Sequence, residues 1–200
     1  MRAALAALLL LLAAAPAAAE ATLRATRQNA PPLILSAAFA EGRWTIRVLE
    51  AGSEVQRIVV ASDLPRSAPR VADADGDGAG DLWVPVIDGG ANTAWDLWRQ
   101  EANGRFRRAG EVSGIGFSRD AAGRLVTMGR NGCCGFSFVF HRFDADGALE
   151  EAFGVDRHED DLRRGVCEGV AMAAAAPAAM VRAICGLASG AMPGQRIQLR

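Results

Sequence analysis

Two hundred residues, half of them hydrophobic, suit a single domain with a core of its own. Basic and acidic side chains nearly cancel, 22 against 23, and every basic residue is arginine. With no basic patch or stripe, a nucleic-acid surface is excluded.

The N-terminus reads as an export signal. Arg2 is a short positive region, residues 3–14 are an Ala/Leu stretch too short to span a bilayer, and Ala17-Ala18-Ala19 forms a small-residue cleavage site before Glu20. Residues 1–19 are therefore expected to be a signal peptide cut after Ala19, leaving a periplasmic or secreted protein with no membrane segment. No cysteine near the cut offers a lipid anchor.

Residues 20–43, with Pro31-Pro32 and little periodicity, read as an extended lead-in. A β domain is expected over residues 44–153. Trp44, Ile46 and Val48 alternate as a strand would, Ala51-Gly52-Ser53 makes a turn, and Val55 to Val60 returns. A loop with two prolines, residues 62–70, leads to the densest acidic stretch in the chain.

That stretch is Asp73-Ala74-Asp75-Gly76-Asp77-Gly78-Ala79-Gly80-Asp81. Carboxylates so close together repel one another wherever the dielectric is lowered, and a bound hard cation removes that cost. Calcium accepts about six to eight oxygens in a flexible shell, which short Asp side chains on a tight loop can supply. The pattern opens like an EF-hand, with Asp73, Asp75, Asp77 and Gly78 in place. Val84, however, stands where the closing bidentate Glu belongs. The expected Ca2+ ligands are Asp73, Asp75, Asp77, the Ala79 backbone carbonyl and Asp81, and the chain leaves as the strand Leu82 to Ile87.

Next come a Gly-rich loop, residues 88–93, and three hairpin signals at Asn103-Gly104, Ala122-Gly123 and Asp146-Gly147, each between alternating apolar residues. The tail, residues 154–200, reads as a helical, disulfide-tied segment. From Asp156 to Arg164 acids precede bases, as in a short helix that Gly165 would stop. Residues 171–184 are Ala-rich and helical with a break or restart at Pro177. Residues after Gly186 look loose. The whole is expected to be all-β, antiparallel hairpins in a propeller-like or sandwich arrangement, with a short Ala-rich C-terminal helical segment.

Four cysteines in an exported chain are read as disulfides first. Cys133, Cys134, Cys167 and Cys185 allow three pairings. One joins Cys167 to Cys185, and the other two tie the Cys133-Cys134 loop to both C-terminal cysteines. The sequence does not choose among them.

The run Asp73 to Leu82, then Gly89-Gly90-Ala91-Asn92-Thr93-Ala94-Trp95, then Asn103-Gly104-Arg105-Phe106, resembles the exported bacterial proteins with one FG-GAP/VCBS-like calcium loop. These are related to periplasmic lysozyme-inhibitor and immunity proteins. The resemblance covers residues 44–153 and implies calcium binding and an all-β, propeller-like or sandwich architecture. It also implies a protein partner, a secreted peptidoglycan hydrolase that the immunity members bind and block.

The usual catalytic constellations are missing from the sequence. His158-Glu159-Asp160-Asp161 is not a zincin motif, no nucleophile elbow is present, and His141 sits in an alternating strand as a packed residue would. Trp83, Trp95 and Trp98 lie on predicted strands, so core packing is expected of them. The sequence therefore reads as a binding module and not an enzyme, with no catalytic residue. Residues 88–93 and 130–135 are the expected contact loops. The alternative is an exported thiol-redox protein using Cys133 and Cys134.

Overall fold

The computed structural model describes residues 20–159 and 165–199, so the expected signal peptide lies outside the described residues. Three antiparallel meanders follow one another along the chain. The first sheet holds β1 (Glu20–Ala25), β2 (Leu33–Ala40), β3 (Arg43–Glu50) and β4 (Ser53–Ala61) in that order. The second holds β5 (Arg70–Ala72), β6 (Asp81–Asp88), β7 (Thr93–Gln100) and β8 (Phe106–Gly114). The third begins with β9 (Gly116–Arg119), β10 (Leu125–Asn131), β11 (Gly135–Phe143), β12 (Leu149–Glu159) and β13 (Gly165–Ala171). A short helix, α1 (Ala178–Cys185), follows. The chain then returns as β14 (Gln195–Arg196) to the far edge of β9, giving the order β13-β12-β11-β10-β9-β14.

Period-two alternation sets which face each strand buries. Leu33, Leu35 and Ala37 on β2 and Trp44, Ile46 and Val48 on β3 point to one side, with Ile58 and Val60 of β4 beside them. The two-residue turns between these strands hold Glu41 and Ala51 at φ 50° and 48°. This left-handed geometry matches the twist of paired strands.

The second sheet is the middle layer. Leu82, Val84 and Phe106 pack against the first sheet, while Trp83, Leu97, Ala109 and Val112 pack the other way, with Phe117 and Leu125 of the third sheet. The start of β6 is therefore buried on both faces, which explains its unbroken apolar run. Full burial of a large side chain such as Trp83 contributes roughly 2–3 kcal/mol. The outer face of the third sheet, with Val126, Met128, Phe138, Phe140, Phe153 and Val155, is covered by Ile184, Met180 and Val181 of α1.

The all-β antiparallel fold agrees with the sequence; its sheets stack as in a sandwich and do not close into a barrel. Several local expectations are corrected. Residues 20–43 contain β1, β2 and the start of β3, because Leu33, Leu35 and Ala37 supply a buried face that the neighbouring prolines obscure. The helix expected from Asp156 is strand through Glu159, and the remainder of that expectation, residues 160–164, lies outside the described residues. Cross-strand partners decide this: Asp156 pairs with Ser137 on β11 and Glu168 on β13, and Ser137 Oγ donates to its carboxylate at 2.6 Å. The Ala-rich helix starts only at Ala178, with Pro177 as its N-cap and Ala171 still in β13.

Residues after Gly186 are held in place. Ile197 N–H donates to the Phe117 carbonyl at 2.9 Å, and Ile197 and Leu199 pack on the core between the second and third sheets. Among the described residues no helix is long and apolar enough to cross a membrane.

Candidate metal centre

The acidic loop connects β5 to β6 and is curled so that its own carboxylates cap its own amides. Asp73 accepts from Gly76 N–H at 2.6 Å and Gly78 N–H at 3.1 Å. Asp75 accepts from Asp77 N–H at 3.1 Å, and Asp77 from Ala79 N–H at 2.6 Å. Gly76 adopts φ 91°, and a Cβ there would come within 3.0 Å of the Arg119 guanidinium. The left-handed φ is what favours glycine there; the close guanidinium would have to shift by a few tenths of an ångström to admit a side chain.

Asp81 anchors the assembly. Fully buried at the first position of β6, it accepts from Ala74 N–H at 2.7 Å and from Gln100 N–H at 2.8 Å, tying the loop to β7. The Gln100 side chain continues the tie, donating to the Gly80 carbonyl at 2.9 Å and the Thr26 carbonyl at 3.1 Å. Gln28 donates to the Asp77 carbonyl from the β1–β2 connection.

Among the described residues, Asp73, Asp75 and Asp81 each offer an oxygen within 4.8 Å of the others, a group that could hold a metal ion. Asp77 stands outside that group, its carboxylate turned to the Ala79 amide. Ala79 is buried at the end of the loop.

Burial pushes the Asp81 carboxyl up to about 8, against the pull of its two amide donors and with the help of the neighbouring Asp75 and Asp77 charges. Burial also raises Asp75 above the ordinary carboxylate range. Two guanidinium groups offset part of the charge. Arg119 lies 3.0 Å from Asp73 and also donates to its carbonyl at 2.8 Å, while Arg99 lies 3.6 Å from Asp75. The donor set is all oxygen, which suits a hard cation and not a thiolate- or imidazole-seeking metal. The sequence flagged the aspartates by spacing. It carried no signal for Arg99, Gln100 or Arg119, which arrive from other strands.

The two expected contact loops are adjacent. Asn92, in residues 88–93, grips the Arg130 backbone at the end of β10 with both ends of its amide. Of the three cysteine pairings, Cys167–Cys185 is the one that forms, with Cα atoms 5.7 Å apart, linking β13 to α1. Cys133 and Cys134 lie exposed at the β10–β11 turn, their Sγ atoms 2.6 Å apart.

His141 is buried with its Nε2 3.3 Å from Thr127 Oγ1, and burial lowers its pKa to about 4. His158 is exposed at the end of β12. Trp83 is fully buried and donates to the Ala72 carbonyl at 3.1 Å, while Trp95 and Trp98 are half-buried.

The fold and the site together define an all-β antiparallel protein in which, among the described residues, an acidic loop brings together three aspartates that could hold a metal ion. The chain matches no family model, no curated protein and no solved structure among those compared.

Proposed function

We propose that the protein is a calcium-stabilised binding module that works outside the cytoplasm. The convergence of Asp73, Asp75 and Asp81 carries this reading. Calcium suits the loop better than magnesium, because it tolerates the irregular, flexible oxygen shell that a glycine-rich turn provides. When bound it would supply positive charge beside three carboxylates, one of them buried, and so fasten the β5–β6 loop to β7 through Asp81. The Cys167–Cys185 bridge supports an oxidising compartment, in keeping with the expected signal segment.

The contact surface is assigned to residues 88–93 and 130–135, supported by the Asn92 link that holds these loops side by side. The partner is a protein of the cell envelope, for which a peptidoglycan hydrolase is the first candidate. That choice rests on the loop motif and its resemblance.

The test has two arms. Melting in calcium and in chelator reads the metal: a rise in Tm with calcium supports the site, and identical curves overturn it. Inhibition of a panel of peptidoglycan hydrolases, lysozymes included, reads the partner. Stoichiometric inhibition that chelator abolishes supports the hydrolase reading, and no inhibition in either condition sinks it while leaving the calcium arm intact.

A further inference from the structure

The geometry points to Cys133 and Cys134 as a reversible dithiol–disulfide site that exchanges with small-molecule disulfides. In a strand, neighbouring side chains point to opposite faces, so two adjacent cysteines would be kept apart. Here they sit off the ladder. Asn131 pairs with Gly135, and Gly132, Cys133 and Cys134 form the turn between them. Leaving the strand conformation lets both sulfurs point the same way, and they meet at 2.6 Å. Both residues are exposed, so a disulfide in the medium can reach them.

The base of the turn is fixed. Asn92 holds Arg130 from one side, and the His158 ring lies against Gly135, where a Cβ would fall 2.5 Å from its Nδ1. A rigid base under a short turn keeps the two sulfurs in reach of each other in both redox states. Neighbouring Cα atoms are about 3.8 Å apart, short of the usual disulfide span, so the closed form is readily reopened. Cys167–Cys185, with Cα atoms 5.7 Å apart and its sulfurs between a strand and a helix, is the structural bridge.

The chemistry is ordinary exchange. The thiolate of one cysteine attacks a sulfur of an external disulfide RSSR, forming a mixed disulfide and releasing one RS⁻. The second cysteine, as thiolate, attacks the protein sulfur of that mixed disulfide and expels the other RS⁻. The two thiol protons end on the released thiols. The protein is oxidised by two electrons and RSSR is reduced to two RSH. A reduced small thiol reverses both steps.

The test equilibrates the purified full chain with glutathione at graded oxidised-to-reduced ratios. Acid quenching and alkylation follow, then mass spectrometry of the tryptic peptide 131–142, which contains both cysteines. The expected result is a reversible passage from the doubly alkylated peptide to one lighter than the reduced peptide by two hydrogens. The Cys167–Cys185 bridge stays closed throughout. Cys133→Ser and Cys134→Ser, at an exposed turn, should instead accumulate the glutathione mixed disulfide. The proposal is overturned if the wild type stays doubly alkylated at every ratio, if it accumulates the mixed disulfide as the variants do, or if it forms intermolecular bridges.

Discussion

Asn92 holds Arg130 by its backbone: its Oδ1 accepts from the Arg130 N–H at 2.7 Å and its Nδ2 donates to the Arg130 carbonyl at 3.1 Å. One side chain from the β6–β7 loop thus stands in for a strand partner at the end of β10 in the third sheet. Asn92→Ala should lower stability to urea by about 1 kcal/mol, the net worth of such bonds near the surface. It should also speed hydrogen exchange at the Arg130 amide while leaving Phe138 and Phe140 protected. Unchanged exchange at Arg130 would show that the link does not hold in solution.

Asp75 and Asp77 look equivalent in the sequence but should not behave alike. Asp75 belongs to the convergent group and Asp77 caps Ala79 instead. With calcium at about a hundred times its Kd, the metal would add about 2.7 kcal/mol to the wild type. Asp75→Ala should lose most of that, whereas Asp77→Ala should keep a clear calcium-dependent rise in Tm. Wild type and Asp75→Ala should nearly converge in chelator. Equal loss in both variants would place Asp77 in the ligand set.

The elevated Asp81 pKa gives the site a pH dependence with a definite sign. A carboxyl raised in the fold from 3.8 to about 8 holds its proton more tightly when folded. Its contribution to stability is therefore full below the unfolded value and is lost as pH rises towards 8. Calcium would take the place of that proton, so binding should release protons near neutrality and weaken as pH falls below 8. Calorimetry in buffers of different ionisation enthalpy should give a heat that varies with the buffer. A buffer-independent heat at pH 7 would mean that Asp81 is already ionised.

His141 works in the opposite sense. Burial lowers its pKa from 6.5 to about 4, so the unfolded chain binds the proton first. Stability should fall as pH drops from 6.5 to 4, by on the order of 3 kcal/mol from this group alone. His141→Gln, which can still meet the Thr127 hydroxyl, should flatten that part of a stability–pH curve. An unchanged acid limb would assign it to other groups.

The bridge between Cys167 and Cys185 closes a separation of 18 residues, and its loss should cost roughly 3 kcal/mol. The eight-residue α1 is too short to persist unaided. Cys185→Ser should therefore lower Tm and expose Ile184 and the outer face of the third sheet to a hydrophobic dye. A variant that melts with the wild type and binds no dye would show that packing alone retains the helix.

The hairpins and the acidic loop were legible in the chain before any folding, because both are local. Asn103-Gly104 and Asp146-Gly147 fix tight turns within a few residues, and alternate aspartates on a glycine-rich loop crowd their charge whatever surrounds them. Tertiary structure decided everything that depends on a distant partner. The strand at Asp156 was chosen by Ser137 and Glu168 against its helix-like charge order, and β14 exists only because β9 has an open edge. The same holds within the site. Asp81 is separated from its ordinary acidity by burial at the start of β6, and Arg119, 46 residues from Asp73, reaches Asp73 only through the packing of β9 beside the loop. Local geometry is written in neighbouring residues, whereas burial, register and the company a charge keeps are properties of the folded chain.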